Sequence, residues 1–219
     1  MLQSTIRMSK TSKLDNIRSW SLQAIDTCPG SIDQVNGGLV AACSGCYATT
    51  GAYVWSTTKA PRLANQEDWK RDSWVDDMVQ ELRKDKYLRW FDSGDMYSLK
   101  LARKMYQVMA ATPQVKHWLP TRMAKFAKFQ PILEAMQALP NVMVRFSSDS
   151  ITGEFDQRHG SVIFPSSEAV PHGAKLCTAY QTEGKCSGCR ACYDKSVAVI
   201  AYPQHGRKMA KVFKLTLVK

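Results

Sequence analysis

"YLRWFDSGD", residues 87–95, decides how this chain is read. Its first half, Tyr87 to Phe91, is a run of aromatic and aliphatic side chains of the kind that extends as a strand. Its second half, Asp92 to Asp95, is turn chemistry: short polar side chains that bond nearby backbone, and a glycine free to take a positive φ. The same change from strand to polar turn returns twice downstream. "VKHWL" (115–119) leads to Thr121 and Arg122, and "VMVRF" (142–146) leads to Ser147, Ser148 and Asp149. "SWSLQAI" (19–25), "SVIF" (161–164) and "SVAVIAY" (196–202) read as further strands. Helices fall between them. Within 67–85, Trp74, Met78 and Leu82 lie at helical spacing with charge on the other side. Ser98 can cap a helix through "LKLARKMYQVMAA", with Leu99, Ala102, Tyr106 and Met109 on one stripe. A third helix lies within 122–138, and Pro131 marks its start or a kink. Strands alternating with helices predict an α/β protein on a parallel sheet, open or closed into part of a barrel.

In such a sheet the loops after the strands share one end, and sites form there. Any one polar cluster is ordinary loop and cap chemistry, but three successive strands ending this way predict a common pocket. Asp92, Asp95, Arg122, Arg145 and Asp149 are the candidate catalytic residues, and Ser93, Gly94, Ser147 and Ser148 the candidates for holding a cofactor. A guanidinium such as Arg122 can fork a carboxylate or phosphate, and the carboxylates can hold an ammonium group or move protons. The 219 residues, 44% of them apolar, suit a single domain over 1–219, with a Cys-rich metal-binding insertion at 165–195.

Seven cysteines form two groups. Cys28, Cys43 and Cys46 are the first; the C-x2-C step lets two thiolates grip one centre, and "CPG" is a rigid turn that can present Cys28. Three thiolates leave a fourth position open, which is how catalytic metal sites admit substrate. Cys177, Cys186, Cys189 and Cys192 are the second; C-x2-C-x2-C resembles the ferredoxin run and favours a [4Fe-4S] cluster, with zinc as the alternative. Both groups follow strands, so both are expected at the carboxyl ends of the sheet. None of the four histidines has ligand spacing, and His159 and His172 are the reserve for a fourth ligand. The odd cysteine count, with no apolar leader and no run of about 18 apolar residues, points to a cytoplasmic chain with reduced thiols and no membrane span.

The formal charge of +11 suits a polyanionic partner, nucleic acid above all, and equally a solvated basic surface or one that docks an acidic protein, since no nucleic-acid motif accompanies it. GxGxxG, P-loop and GxSxG patterns are lacking. Two functional classes therefore stand: an iron-sulfur enzyme, and a non-catalytic protein whose metal staples a basic binding surface. A cluster-dependent sulfur-transfer or hydrolytic enzyme is a variant of the first.

Taken together, "CPG", "CSGCYA", "RWFDSGDM", "HWLPTR" and "VRFSSDS" resemble the phage "gene product 88" proteins over roughly residues 19–195. That resemblance implies a phage or prophage origin, hence a host cytoplasm, and an iron-sulfur centre. A more distant likeness is to the radical S-adenosylmethionine (SAM) enzymes, which use a partial parallel barrel and three cysteines on a [4Fe-4S] cluster. There the turn after the second strand holds the amino group of SAM, and "DSGD" is similar in place. The cysteine spacing differs: C-x14-C-x2-C here, against C-x3-C-x2-C in those enzymes.

Overall fold

Alternation along Tyr87–Trp90 (β3) sorts the two faces of the sheet. Leu88 and Trp90 are fully buried on one side, while Tyr87 and Arg89 turn to the other. The computed structural model describes residues 6–151, 153–166 and 169–217. Among them, eight strands form one sheet, β1 (Ser9–Thr11), β2 (Ile17–Trp20), β3, β4 (Lys116–Thr121), β5 (Val142–Ser147), β6 (Gly160–Phe164), β7 (Lys175–Leu176) and β8 (Ile200–Pro203). The order across the sheet is β1-β2-β3-β4-β5-β6-β8-β7, and every pairing but β1 with β2 is parallel. The strands β2 to β6 and then β8 thus lie side by side in chain order, with no reversal of direction across the sheet. Crossovers of one hand then return over one face. The edges are β1 and β7, and no ladder joins them among the described residues.

The helices are α1 (Ala41–Ser44), α2 (Ser56–Asp68), α3 (Trp74–Glu81), α4 (Leu99–Ala111), α5 (Gln130–Ala138) and α6 (Arg207–Leu217). Residues of α3, α4 and α5 make one apolar core with Trp20, Leu88, Trp90, Leu119, Val142 and Val144 of the sheet. Three expectations need adjustment. The helix expected within 67–85 is α3 and starts only at Trp74, because residues 69–73 turn after the end of α2; Lys104 Nζ of α4 donates to the carbonyls of Trp69 and Arg71 and stabilises that turn. The buried face of α4 centres on Leu101, Met105 and Val108, with Leu99 and Tyr106 at its margin. The first strand ends at Trp20, where Asn65 Nδ2 donates to the Ser21 carbonyl (3.0 Å) and the chain turns away. Ser98 does cap α4, accepting from the Lys100 N–H, and Pro131 stands in the first turn of α5.

Candidate functional site

The face of the sheet away from α3–α5 borders a cavity of about 470 Å³. Its wall is built from Arg89, Trp118, Pro120, Ser147, Ser161, Ile163 and Tyr202 on the strands, from the loops at their carboxyl ends, and at the other end from Lys13, Leu14, Cys186 and Cys192. Asp92, Ser93, Gly94, Asp95, Arg122, Ser147 and Ser148 all line it; Arg145 and Asp149 do not.

The Asp92–Asp95 turn is stitched to the segment that leads into Cys28. Leu22 N–H donates to the Ser93 carbonyl (3.1 Å), Ser93 Oγ to the Leu22 carbonyl (2.8 Å), and Asp95 N–H to the Thr27 carbonyl (3.1 Å). Gly94 has φ +82°, and a Cβ there would stand 2.6 Å from Leu22 Cβ and 2.7 Å from Thr27 Oγ1, so both conformation and space require glycine. Phe91 and Ile25, which also line the cavity, hold φ of 59° and 71°, a strained region for such side chains. Asp95 accepts from Thr121 Oγ1 (2.8 Å), Met96 N–H (2.8 Å) and Arg122 N–H (2.9 Å), tying together the ends of β3 and β4. Burial still raises its pKa against those bonds. Asp92 is paired with Arg62 of α2 at 2.9 Å, both nearly buried, and its carbonyl accepts from Tyr47 Oη at 2.5 Å. Arg62 is marked by no motif, and Tyr47 belongs to "CSGCYA" with nothing there to mark it as a partner of Asp92. A carboxylate placed at a strand end does, however, require a cation to come from somewhere.

Arg122 donates to the Ser148 carbonyl (3.0 Å) and lies 3.4 Å from Asp149, which also pairs with Lys125. The Asp149 carbonyl accepts from Ala42 N–H (3.0 Å), so the loop after β5 holds the helix carrying Cys43. Arg145 has a structural place instead. It is fully buried, and its guanidinium donates to the carbonyls of Ala191, Asp194, Val197 and Ala198 at 2.6–3.0 Å and of Cys192 at 3.4 Å.

All seven cysteines are free. Cys28, Cys43, Cys46, Cys177, Cys186 and Cys192 border the one cavity, and Cys189 is exposed outside it. Burial pushes the Cys28 thiol up to about 12, helped by Asp95 and by Cys43 and Cys46. Burial and then Cys192 push Cys186 up to about 11, and burial raises Cys43 and Cys192 as well. Among the described residues no three His, Cys, Asp or Glu side chains are gathered in a way that would hold a metal ion. His159 and His172 do not line the cavity, and His117 is a core residue.

One expectation is overturned in part. The two cysteine groups share a face, and Cys177 directly follows β7 at its carboxyl end, its N–H donating to the Ala201 carbonyl (2.8 Å), but Cys186 and Cys192 lie at the other end. Cys28, Cys43 and Cys46 lie on the loops leaving β2. Cys186 and Cys192 pack with Leu14, Ile17, Tyr87, Trp118 and Tyr193, and Cys186 N–H donates to the Lys13 carbonyl (2.7 Å). Ile17 and Tyr87 open β2 and β3, so this is the amino-terminal end. The reason is topological. β7 and β8 are parallel, so the chain leaving the end of β7 must return to the start of β8, and it carries Cys186–Cys192 with it.

The chain thus carries a mostly parallel α/β sheet with a cysteine-lined cavity on one face. The family model described as Gene product 88 matches residues 2–211, and the chain belongs to that family. No curated protein and no solved structure matches it.

Proposed function

We propose that the chain is an iron-sulfur protein in which Cys28, Cys43 and Cys46 hold a [4Fe-4S] cluster with one iron facing the cavity. We propose further that it works as a radical-SAM-like enzyme on a small molecule, its sheet serving as a partial barrel. One observation carries this reading: three thiols after the first parallel strand, and the turn after the second, border one ligand-sized cavity. The donor chemistry suits the group. Thiolates are the usual ligands of iron-sulfur clusters, and a multinuclear cluster accepts thiols standing farther apart than one ion does. Such a cluster supplies single electrons, and an iron without a cysteine ligand offers a position for a further donor. The chain's own part is to seat and orient. Asp95 holds the ends of β3 and β4 together, Gly94 lets the turn approach the Cys28 loop, and Asp92, Ser93, Arg122, Ser147 and Ser148 offer polar contacts from the wall. The second group is the seat of a further cluster or of zinc.

Anaerobic purification tests it. Brown protein, about four iron and four sulfide per occupied group, and loss of one group's iron in Cys43→Ala are expected. A SAM titration that alters the reduced cluster's spin resonance spectrum tests the enzyme class. Colourless protein holding only zinc, or iron unchanged in Cys43→Ala, overturns the reading. A second reading rests on the net charge of +11: a metal-stapled protein that binds nucleic acid or an acidic partner, with affinity falling as salt rises.

A further inference from the structure

We propose that Arg89 receives an anionic group, a carboxylate or a phosphate, of a small molecule bound in the cavity between the two cysteine groups. This names a ligand class for the site proposed above. The donors that carry it are present whether or not the cysteines hold a cluster.

Arg89 sits in β3 on the cavity side, its Cα paired with that of Trp118 in β4. Its guanidinium lies over the Trp118 ring, 4.8 Å from the centroid. Its one hydrogen bond is a long one, 3.4 Å to Tyr47 Oη. Its Nε is buried with no partner, and so is Trp118 Nε1, on a side chain 6% exposed that lines the same cavity. Of the other cations around the site, four have anionic or carbonyl acceptors, and Lys13, which also lines the cavity, lies 5.9 Å from the centroid of the Tyr202 ring. Arg62 has Asp92, Arg122 and Lys125 share Asp149, and Arg145 has five carbonyls. Among the described residues Arg89 has no ion pair. The carboxylate within its electrostatic reach, Asp92, is already bonded to Arg62.

Arg89 is half-buried, and a guanidinium partly withdrawn from water with no anion beside it is a favourable seat for one. Asp95 is bound up with β4 and cannot turn to it. The missing partner therefore comes with the ligand. Stacking on Trp118 uses the face of the guanidinium and leaves its N–H edge for a carboxylate or phosphate, which it can fork with two parallel bonds. A cavity of about 470 Å³ is the size of a small-molecule site. Arg89 also lies within electrostatic reach of Tyr47, which follows Cys46, and of Cys192 and Tyr202. An anion held there would anchor its molecule between the two ends of the cavity.

The test is binding of inorganic phosphate and of acetate to the full, anaerobically purified chain, by calorimetry at fixed ionic strength in chloride. Arg89→Met is expected to weaken the tighter-binding probe by about tenfold or more. Arg89→Lys, which keeps the charge without the fork, is expected to fall between. The tighter probe identifies the group. Equal affinity in wild type and Arg89→Met, or no saturable binding of either probe to wild type, overturns the proposal. Should Arg89→Met not fold, phenylglyoxal modification of wild type mapped by peptide mass reads the same point: phosphate or acetate must protect Arg89, and no protection overturns it. Iron and sulfide are counted in the same preparations. Arg89→Met that loses iron yet keeps anion affinity makes the guanidinium a partner of the cysteines and overturns this assignment. Iron-free wild type that still binds through Arg89 supports it and overturns the cluster reading alone.

Discussion

His117 is the one histidine among the described residues that the fold takes fully out of water. Trp90 Nε1 donates to its Nδ1 (3.2 Å), so Nε2 carries the proton and faces Thr112 Oγ1 at 2.9 Å. The Thr112 hydroxyl in turn donates to the Val108 carbonyl at 2.7 Å. Every polar atom of the neutral ring is matched, and an imidazolium would have no acceptor for Nδ1. Burial accordingly pushes the pKa from the ordinary 6.5 down to about 3. The folded value lies below the unfolded one, so between those two pH values the unfolded chain binds the extra proton. Stability present near neutral pH is lost as pH falls through that window. Urea midpoints measured from pH 7 to pH 4 are expected to report a loss approaching about 1.4 kcal/mol per pH unit from this residue alone. His117→Asn, which keeps an acceptor for Trp90, should flatten that slope. An equal slope in the variant would assign the acid sensitivity to other groups.

At the scale of elements, the connection from β7 to β8 has little regular structure and needs another means of order. Arg145 supplies it. From the middle of β5 its donors collect five carbonyls between Ala191 and Ala198, in the loop that carries Cys192 and leads into β8. Asp194 tightens the same loop by accepting from Ser196 N–H (2.8 Å) and Oγ (2.7 Å). Removing the guanidinium strands several buried carbonyls at once. Arg145→Met is therefore expected to cost about 3 kcal/mol or more. The loss should be concentrated in amide exchange of residues 191–201, with α4 and α5 protected as before. Uniform loss of protection across the sheet would mean that Arg145 supports the core as a whole. Gly45 makes a comparable junction, since a Cβ there would stand 2.8 Å from Met209 Cα and push α6 off the Cys43–Cys46 turn.

At the scale of the whole molecule, Cys186 and Cys192 face the cavity from the end opposite Cys28, Cys43 and Cys46, and of the seven cysteines only Cys189 is exposed. That exposure gives a test of the second group. If the second group holds the cluster proposed above, Cys189 in anaerobic, iron-loaded protein is expected to resist iodoacetamide and to be alkylated soon after the metal is stripped. Immediate labelling of Cys189 with the iron retained would remove it from the ligand set and leave Cys177, Cys186 and Cys192. No helix among the described residues is long and apolar enough to cross a membrane.

Local pattern was enough for much of this. The strand at Tyr87–Trp90, the polar turn after it, the cap at Ser98, the proline at the start of α5 and the parallel α/β class all follow from hydrophobic period and turn chemistry, which act between near neighbours. The gathering of the polar turns was legible too, because parallel strands put their ends together. What lay beyond reach depends on partners distant in sequence. Arg62 reaches Asp92 from 30 residues away, and Arg145 bonds carbonyls 46 to 53 residues on. Nothing local separates an arginine that clamps backbone from one that faces a cavity unpaired. Arg145 and Arg89 both stand in strands, and only the packing of the long return connection against the sheet gives one its five carbonyls and leaves the other facing open space. The cysteine spacing announces two groups of thiols. The placement of Cys186 and Cys192 at the end of the cavity opposite the first group was decided by the tertiary structure, because a connection between parallel strands has to run back the length of the sheet.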